Sequence, residues 1–580
     1  MPDTPSDRDL KTLSAAALDE YRSGRVDRRT LLRYASVMGL GGIGAALAAG
    51  SIRPAAAAPA SAAPAGGSPG KASGQASGPA SGLAPSAPPG PTPSARPTPL
   101  IRVAGLTPAG AIDPLTISDP ASVPLLNQTC DYLVDDDELG RLTPSLATSW
   151  KPNARGDVWT FTLREGVKFH DGQVLGAKDV VATFDRLTDP ATGSAALSVF
   201  RGVLAKGNTK AVDGRTVAFH LDAPNGNFPY YVSSDNYNAV ILPASYTGGF
   251  EKSFIGTGPF RLENYQPRRG ATFVRNPSYW GEPAIPERVQ FTFYADAPAQ
   301  LLAMQGRQAD VMPNLAVLGG LSLLNNAAFK VLSVKSSSHR QIHMRCDQGP
   351  FVDKRVRQAL ALSLDRDVIT RGLFRGRAQQ GNDSPFAPVF ASTDTSVAQR
   401  HVDLAQARQL LAQAGVGNGF AVTLTTERFE EISDLAVLVQ NAAKAIGIAV
   451  TLRVESQGEY YGSATFGKSD WLDSPLGITD YGHRGIPNVF LSATLASGGP
   501  WNAAHFRDAG YDRLVSDYVG ALDLPSQRKT AGEIQRLLLE QTPVAIPYFF
   551  DALTATTANV RGVRFTAISQ LYLQRASLAS

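Results

Sequence analysis

The chain has 580 residues, of which 43% are hydrophobic and 18% charged, and a formal net charge of +4. That length can bury more than one core, and the composition is that of a globular protein. The scattered basic residues argue against nucleic acid as a partner, and two cysteines, Cys130 and Cys346, exclude a disulfide framework or a cysteine-rich zinc site.

The first hundred residues read as an address and a tether. Asp27 to Arg33 (DRRTLLR) precedes a Gly- and Ala-rich apolar run from Tyr34 to Ala49, with small residues at Ala55 to Ala58. The order resembles a twin-arginine export signal, so residues 1–58 are expected to form a lead and signal. No cysteine follows the apolar run, so a lipoprotein anchor is not expected. Residues 59–99 are almost entirely Ala, Pro, Ser and Gly, a composition with nothing to bury, and are expected to be a disordered linker.

Ordered structure is predicted from about Leu100, with Ile101 to Leu106 as a first strand. Trp159, Phe161 and Leu163 alternate with Thr160, Thr162 and Arg164, the pattern of a half-buried strand. Asp171-Gly172 supplies a turn, and Lys178 to Leu187 has helical spacing. Asp213-Gly214 turns before a strand of Val217, Phe219 and Leu221. Val356, Leu360, Leu364 and Val368 follow at four-residue steps behind an Asp353 N-cap, which predicts one helix across 351–374. Further helices are predicted over Leu404 to Ala414, Ile432 to Ile446, Asp512 to Val519 and Gln527 to Glu540. Ile448 to Val454 and Val544 to Phe550 read as strands. Strands alternating with helices argue for an α/β architecture.

The segment LTPSLATSWKPNARGDVWTFTLREGVKFHDGQVLGAKDVVATFDRL, from Leu142 to Leu187, resembles the signature of the bacterial solute-binding proteins of the peptide/nickel type, family five. Gly256 to Phe260 (GTGPF), Asn276 to Gly281 (NPSYWG) and the PF-D-RVRQAL-DR segment around Phe351 to Arg366 resemble further family elements. The resemblance implies a periplasmic-binding-protein type II fold: two lobes with a hinge, and an extra subdomain inserted in the first. The expected division is lobe 1 from 100–140, 245–337 and 546–580, the inserted subdomain at 141–244, and lobe 2 at 338–545.

It also implies a function. The chain is expected to be an exported, periplasmic or cell-surface carrier, monomeric, without cofactor or catalytic residues. It would take a peptide-like solute between its lobes and hand it to the permease and ATPase subunits of an ABC importer. Nickel chelates, sugars and other solutes are alternatives, as is a secreted hydrolase. For the last, no G-x-S-x-G elbow, H-E-x-x-H helix or P-loop is present.

In peptide-binding relatives a carboxylate in a W-x-x-D-Y-like segment holds the ligand's ammonium. PLGITDYGHRGIPNVFL places Asp480 and Tyr481 there, with Gly477 in place of the tryptophan. A buried ammonium needs such a fixed counter-charge. His483 and Arg484 stand where the family has Asp-Pro, and suit an anionic or zwitterionic ligand. Trp501 and Asn502 fall in a loop like the family's G-x-x-N, and Trp471 lies close by in sequence. Core packing accounts equally well for each aromatic residue. His339 and His343 would face one side of a strand, but two histidines alone make a poor metal site. Cys130 and Cys346 are expected to be independent buried thiols, with a disulfide as the alternative.

Overall fold

The computed structural model describes residues 100–137 and 140–579. The expected export signal and linker lie outside the described residues. Two seven-stranded sheets and one four-stranded sheet organise the rest. The first sheet runs, in spatial order, 329–334, 552–557, 311–312, 100–106, 288–294, 270–275 and 260–266. At its centre Leu100–Leu106 pairs in parallel with Arg288–Tyr294 and Val311. The second sheet runs 378–380, 548–550, 339–344, 476–481, 420–427 and 448–455, with 544–545 also paired to 339–344. Here Phe420–Glu427 lies parallel to both Ile448–Glu455 and Leu476–Tyr481. This is an α/β, two-lobe type II arrangement. The second sheet keeps the chain until Phe550 and the first resumes at Ala552, a little beyond the expected boundary at 545.

The four-stranded sheet, 147–152, 158–163, 216–220 and 209–211, belongs to the inserted segment. Trp159, Phe161 and Leu163 face inward as their alternation predicts. Phe161 and Phe184 meet Phe219 edge-on at 5.3 and 5.0 Å, so the helix Ala177–Thr188 closes over the sheet through its apolar face.

The family-like motifs prove to be joints of this framework. Gly256 and Gly258 lie against the end of the helix Val123–Thr129. A methyl at Gly256 would sit 2.0 Å from the Thr129 carbonyl oxygen, and one at Gly258 2.5 Å from the carbonyl carbon. The missing side chains let the Gly258 N–H donate to Thr129 at 2.9 Å. The signature's His170 docks on the same turn, with its N–H 2.9 Å from the Gly256 carbonyl and Nε2 3.1 Å from that of Gly258. Thr257 and Trp280 both donate to the half-buried Asp131, at 2.8 and 2.9 Å. Burial pushes that carboxyl up to about 6, while these donors pull the other way. Gly258→Ala should therefore destabilise the fold by about 1–3 kcal/mol, read as an earlier urea midpoint. An unchanged midpoint would show that the contact yields.

Two expectations need correction. The helix over 351–374 is two, Lys354–Ser363 and Arg366–Phe374. Asp365 breaks it by accepting from the Val368 N–H to cap the second, which leaves Val368 exposed rather than on the buried face. The strand over 544–550 is split into Val544–Ala545 and Tyr548–Phe550. Pro547 stands between them and has no N–H to donate. The expectation of two independent thiols holds: both cysteines are free, Cys130 buried and Cys346 half-buried.

Candidate functional site

The three parallel strands of the second sheet end together, and open α/β sheets present ligands with that edge. The sequence ends these strands in polar residues: Glu427, Glu455 and Asp480-Tyr481. His339–Met344 starts at the same edge, because Arg340 pairs in register with Asp480.

Arg340 is the centre of the site. Its side chain has no solvent exposure, and it is bound by three carboxylates: Glu430 at 2.8 Å, Glu431 at 2.8 Å, and Asp480. Phe550 stacks on the guanidinium at 4.5 Å. The buried Glu427 stands close behind, accepting from Tyr461 at 2.6 Å and Gln457 at 2.7 Å. Tyr548 donates to Glu431 at 2.9 Å. Glu430 holds its place through a left-handed backbone (φ 43°), a strained conformation for a residue with a side chain.

Three carboxylates thus bind one guanidinium, a fourth, Glu427, stands near Asp480, and the site holds more carboxyl groups than cations. Burial pushes Asp480 above the usual carboxylate range; Arg340 opposes this, while Glu427 and Glu431 reinforce it. Glu430 is pushed up to about 7 by burial, against the pull of Arg340. Two-fifths of its side chain is exposed, so water screens part of that effect. The arrangement favours a further cation.

The sequence-named residues divide into those at this edge and those elsewhere. Asp480 is at the edge and 28% exposed, but it is not the lone carboxylate expected, because Arg340 already neutralises it. Tyr481 packs on His339 and Phe490. Its buried hydroxyl lies beside the indole N–H of Trp471. Trp471 is buried and lies 5.2 Å from Tyr461 and 6.5 Å from the half-buried Trp501, forming an aromatic wall. Asn502 instead pins its own loop. Its amide donates to Ala496 and Phe506 carbonyls at 3.0 and 2.8 Å and accepts from the Phe506 N–H at 3.1 Å.

His483 and Arg484 belong to the crossing between lobes. The Ser337 N–H donates to His483 Nδ1 at 3.0 Å, its hydroxyl donates to the Arg484 carbonyl at 2.8 Å, and Lys335 pairs with Asp551 at 3.0 Å beside them. Burial holds His483 down to about 3, so it is neutral and accepts that bond. His339 and His343 are four strand residues apart, roughly 13 Å. They bond separately to the carbonyls of Ser337 and Ser474, so they do not form a metal pair.

The inserted subdomain closes against the second lobe. Gly226 N–H donates to the Val519 carbonyl at 2.9 Å. Asn227 bonds Asn488 and Gln527, each at 3.1 Å. Sequence reasoning missed Glu427, Glu430, Glu431 and Tyr461. It gave Arg340 no place in the site. The signal was present as Arg-Phe-Glu-Glu directly after a strand, and as an arginine inside an otherwise buried one.

Residues 141–495 match the middle region of the bacterial extracellular solute-binding proteins, family 5. The chain is 28% identical over 474 residues to di/tripeptide-binding protein 2 of Pseudomonas aeruginosa, covering 75% of this chain and 86% of that one. It is 25% identical over 434 residues to heme-binding protein A of Haemophilus influenzae, covering 69% and 78%. Among solved structures, HbpA2 of Haemophilus parasuis superposes with a TM-score of 0.73 at 20% identity, covering 83% of this chain and all of that one. NikA of Brucella suis, in complex with Fe(III)-EDTA, superposes at 0.71 with 20% identity and the same coverage. With the family match spanning well over half its length, the chain belongs to the bacterial extracellular solute-binding proteins of family 5, and it is a binding protein rather than an enzyme.

Proposed function

We propose that this protein is the capture subunit of an ABC importer for a peptide or peptide-like solute with a free amine, and that it passes this solute to membrane permease and ATPase subunits. The observation that carries the reading is the surplus of carboxylates over the single Arg340 at the strand-end edge. A ligand ammonium supplies the missing positive charge, and the wall of Trp471, Trp501 and Tyr461 supplies apolar contact. The di/tripeptide-binding relative supports the same solute class. Among the described residues no group of three or more His, Cys, Asp or Glu is placed to hold a bare metal ion, which favours an organic solute. Export fits the family and the expected signal.

The test is calorimetry with short peptides and their N-acetylated forms. An ammonium favours ionised Glu430 and Asp480, whose pKa values are raised in the empty site. Binding then releases protons, and affinity rises with pH through the window below about 7. Between pH 5 and 7.5 the gain should be roughly tenfold, one pKa unit of linkage. Acetylation should remove both the pH dependence and at least tenfold in affinity. Equal binding of acetylated and free peptides would show that the carboxylates do not read an amine.

A further inference from the structure

The seam between the inserted subdomain and the second lobe buries two titratable groups face to face. Asp235 comes from the subdomain, and His483 from the loop that follows Asp480. The Asp235 Oδ1 lies 4.0 Å from the His483 Nε2, beyond hydrogen-bond reach, and the side chains are 7% and 10% exposed. The other carboxyl oxygen, Oδ2, is buried without a partner. It packs directly on Gly485, where any side chain would collide with it. The Ser337 N–H donates to His483 Nδ1 at 3.0 Å, so the one proton of the neutral ring sits on Nε2 and faces the carboxyl.

Burial drives the Asp235 carboxyl well above the usual carboxylate range; Asp136 and Asp135 add to this and Arg484 opposes it. Burial, helped by the Arg484 charge, holds His483 down to about 3. The other charged groups here are engaged elsewhere. Asp136 accepts from the Ser234 hydroxyl, Asp135 pairs with Arg564 at 3.2 Å, Asp137 with Arg141 at 2.6 Å and Lys335 with Asp551 at 3.0 Å. Burial also raises the hydroxyls of Tyr230 and Tyr237. Opening the seam returns Asp235 and His483 to water, where they titrate near about 3.9 and about 6.5.

We propose that Asp235 and His483 form a proton-compensating latch: docking of the subdomain on the second lobe discharges both, the carboxylate gaining an O–H as the imidazolium loses an N–H. Closure then draws no net proton from solvent in mild acid. Alone, each group would make closure pH-dependent. The raised Asp235 weakens closure as pH climbs from about 4, and the lowered His483 weakens it as pH falls from about 6.5. Together they hold closure level, so the pH dependence of solute affinity belongs to the acidic edge.

Hydrogen exchange of the solute-free protein is the test. The Gly226 N–H, 2.9 Å from the Val519 carbonyl across the seam, reports opening. After correction for the intrinsic effect of pH on exchange, its wild-type protection should change less than about twofold between pH 5 and 6. In Asp235→Asn, which keeps the shape of the neutral acid, protection should rise roughly five- to tenfold over that interval. In His483→Asn, whose carbonyl still accepts the Ser337 N–H, it should fall by roughly the same factor. The double variant should be level again. Thermal melting within a few degrees of the wild type shows that a variant is folded, and should one single variant fail to fold, the slope of the other decides. Level profiles in the single variants, or slopes of the same sign, would overturn the latch. So would a wild-type Gly226 amide that exchanges at the unprotected rate. With no solute present, either result leaves the solute-capture reading as it stands.

Discussion

Arg340→Met should lower unfolding free energy by about 3–5 kcal/mol at pH 7.5, the usual scale for removing one member of a buried ionic cluster. Methionine approximates the stem volume, so the loss comes from charge. Without the guanidinium, Glu430, Glu431 and Asp480 face one another without compensation. Carboxylates whose folded-state pKa lies above the unfolded value lose stability as pH rises toward that folded value. Glu430 and Asp480 are held above their ordinary range, so the deficit should shrink at pH 5, where more of these two are protonated. Adding Asp480→Asn to Arg340→Met should recover part of the loss at pH 7.5. Urea denaturation at both pH values decides the matter. A deficit of the same size at pH 5 would assign the role of Arg340 to packing on Phe550 instead.

Gly226→Ala should act on closure. A methyl there would lie 2.0 Å from the Ala521 carbonyl oxygen, on the opposite side of the interface between the inserted subdomain and the second lobe. The N–H bond to Val519 and the Asn227 bridge to Asn488 and Gln527 depend on that approach. Neither half owes its own core to the contact, so the empty variant should melt within a few degrees of the wild type. Solute affinity should fall at least tenfold, because a ligand that needs the closed form is weakened by whatever depopulates it. Small-angle scattering with saturating solute should give a larger radius of gyration than for the wild type. Unchanged affinity would show that closure does not require this seam.

The framework was legible in the sequence because its signals are local. Trp159, Phe161 and Leu163 announce their strand by period, and Asp353 caps a helix as its sequence position announces. Breaks were harder to see. The Asp365 cap competes with an apolar spacing that runs straight through it, and Pro547 interrupts a run that otherwise reads as one strand.

The site was legible only in part, for a different reason. Asp480 was found because it stands in a motif. Its partner Arg340 was not, because a register 140 residues long in sequence brings the two together. Asn227 meets Asn488 and Gln527 only when the subdomain folds back on the second lobe, which no periodicity encodes. Asn502 went the other way: its place in a ligand-loop motif concealed a side chain wholly used to hold that loop.

The central claim is reversible capture of an unmodified passenger between two lobes. Native mass spectrometry of the protein purified from its own host tests it most directly. The account predicts a single extra mass per chain, released on denaturation as an intact organic molecule with an amine. A mass matching only a metal ion, or a passenger that is consumed while the protein stands with it, would contradict the account.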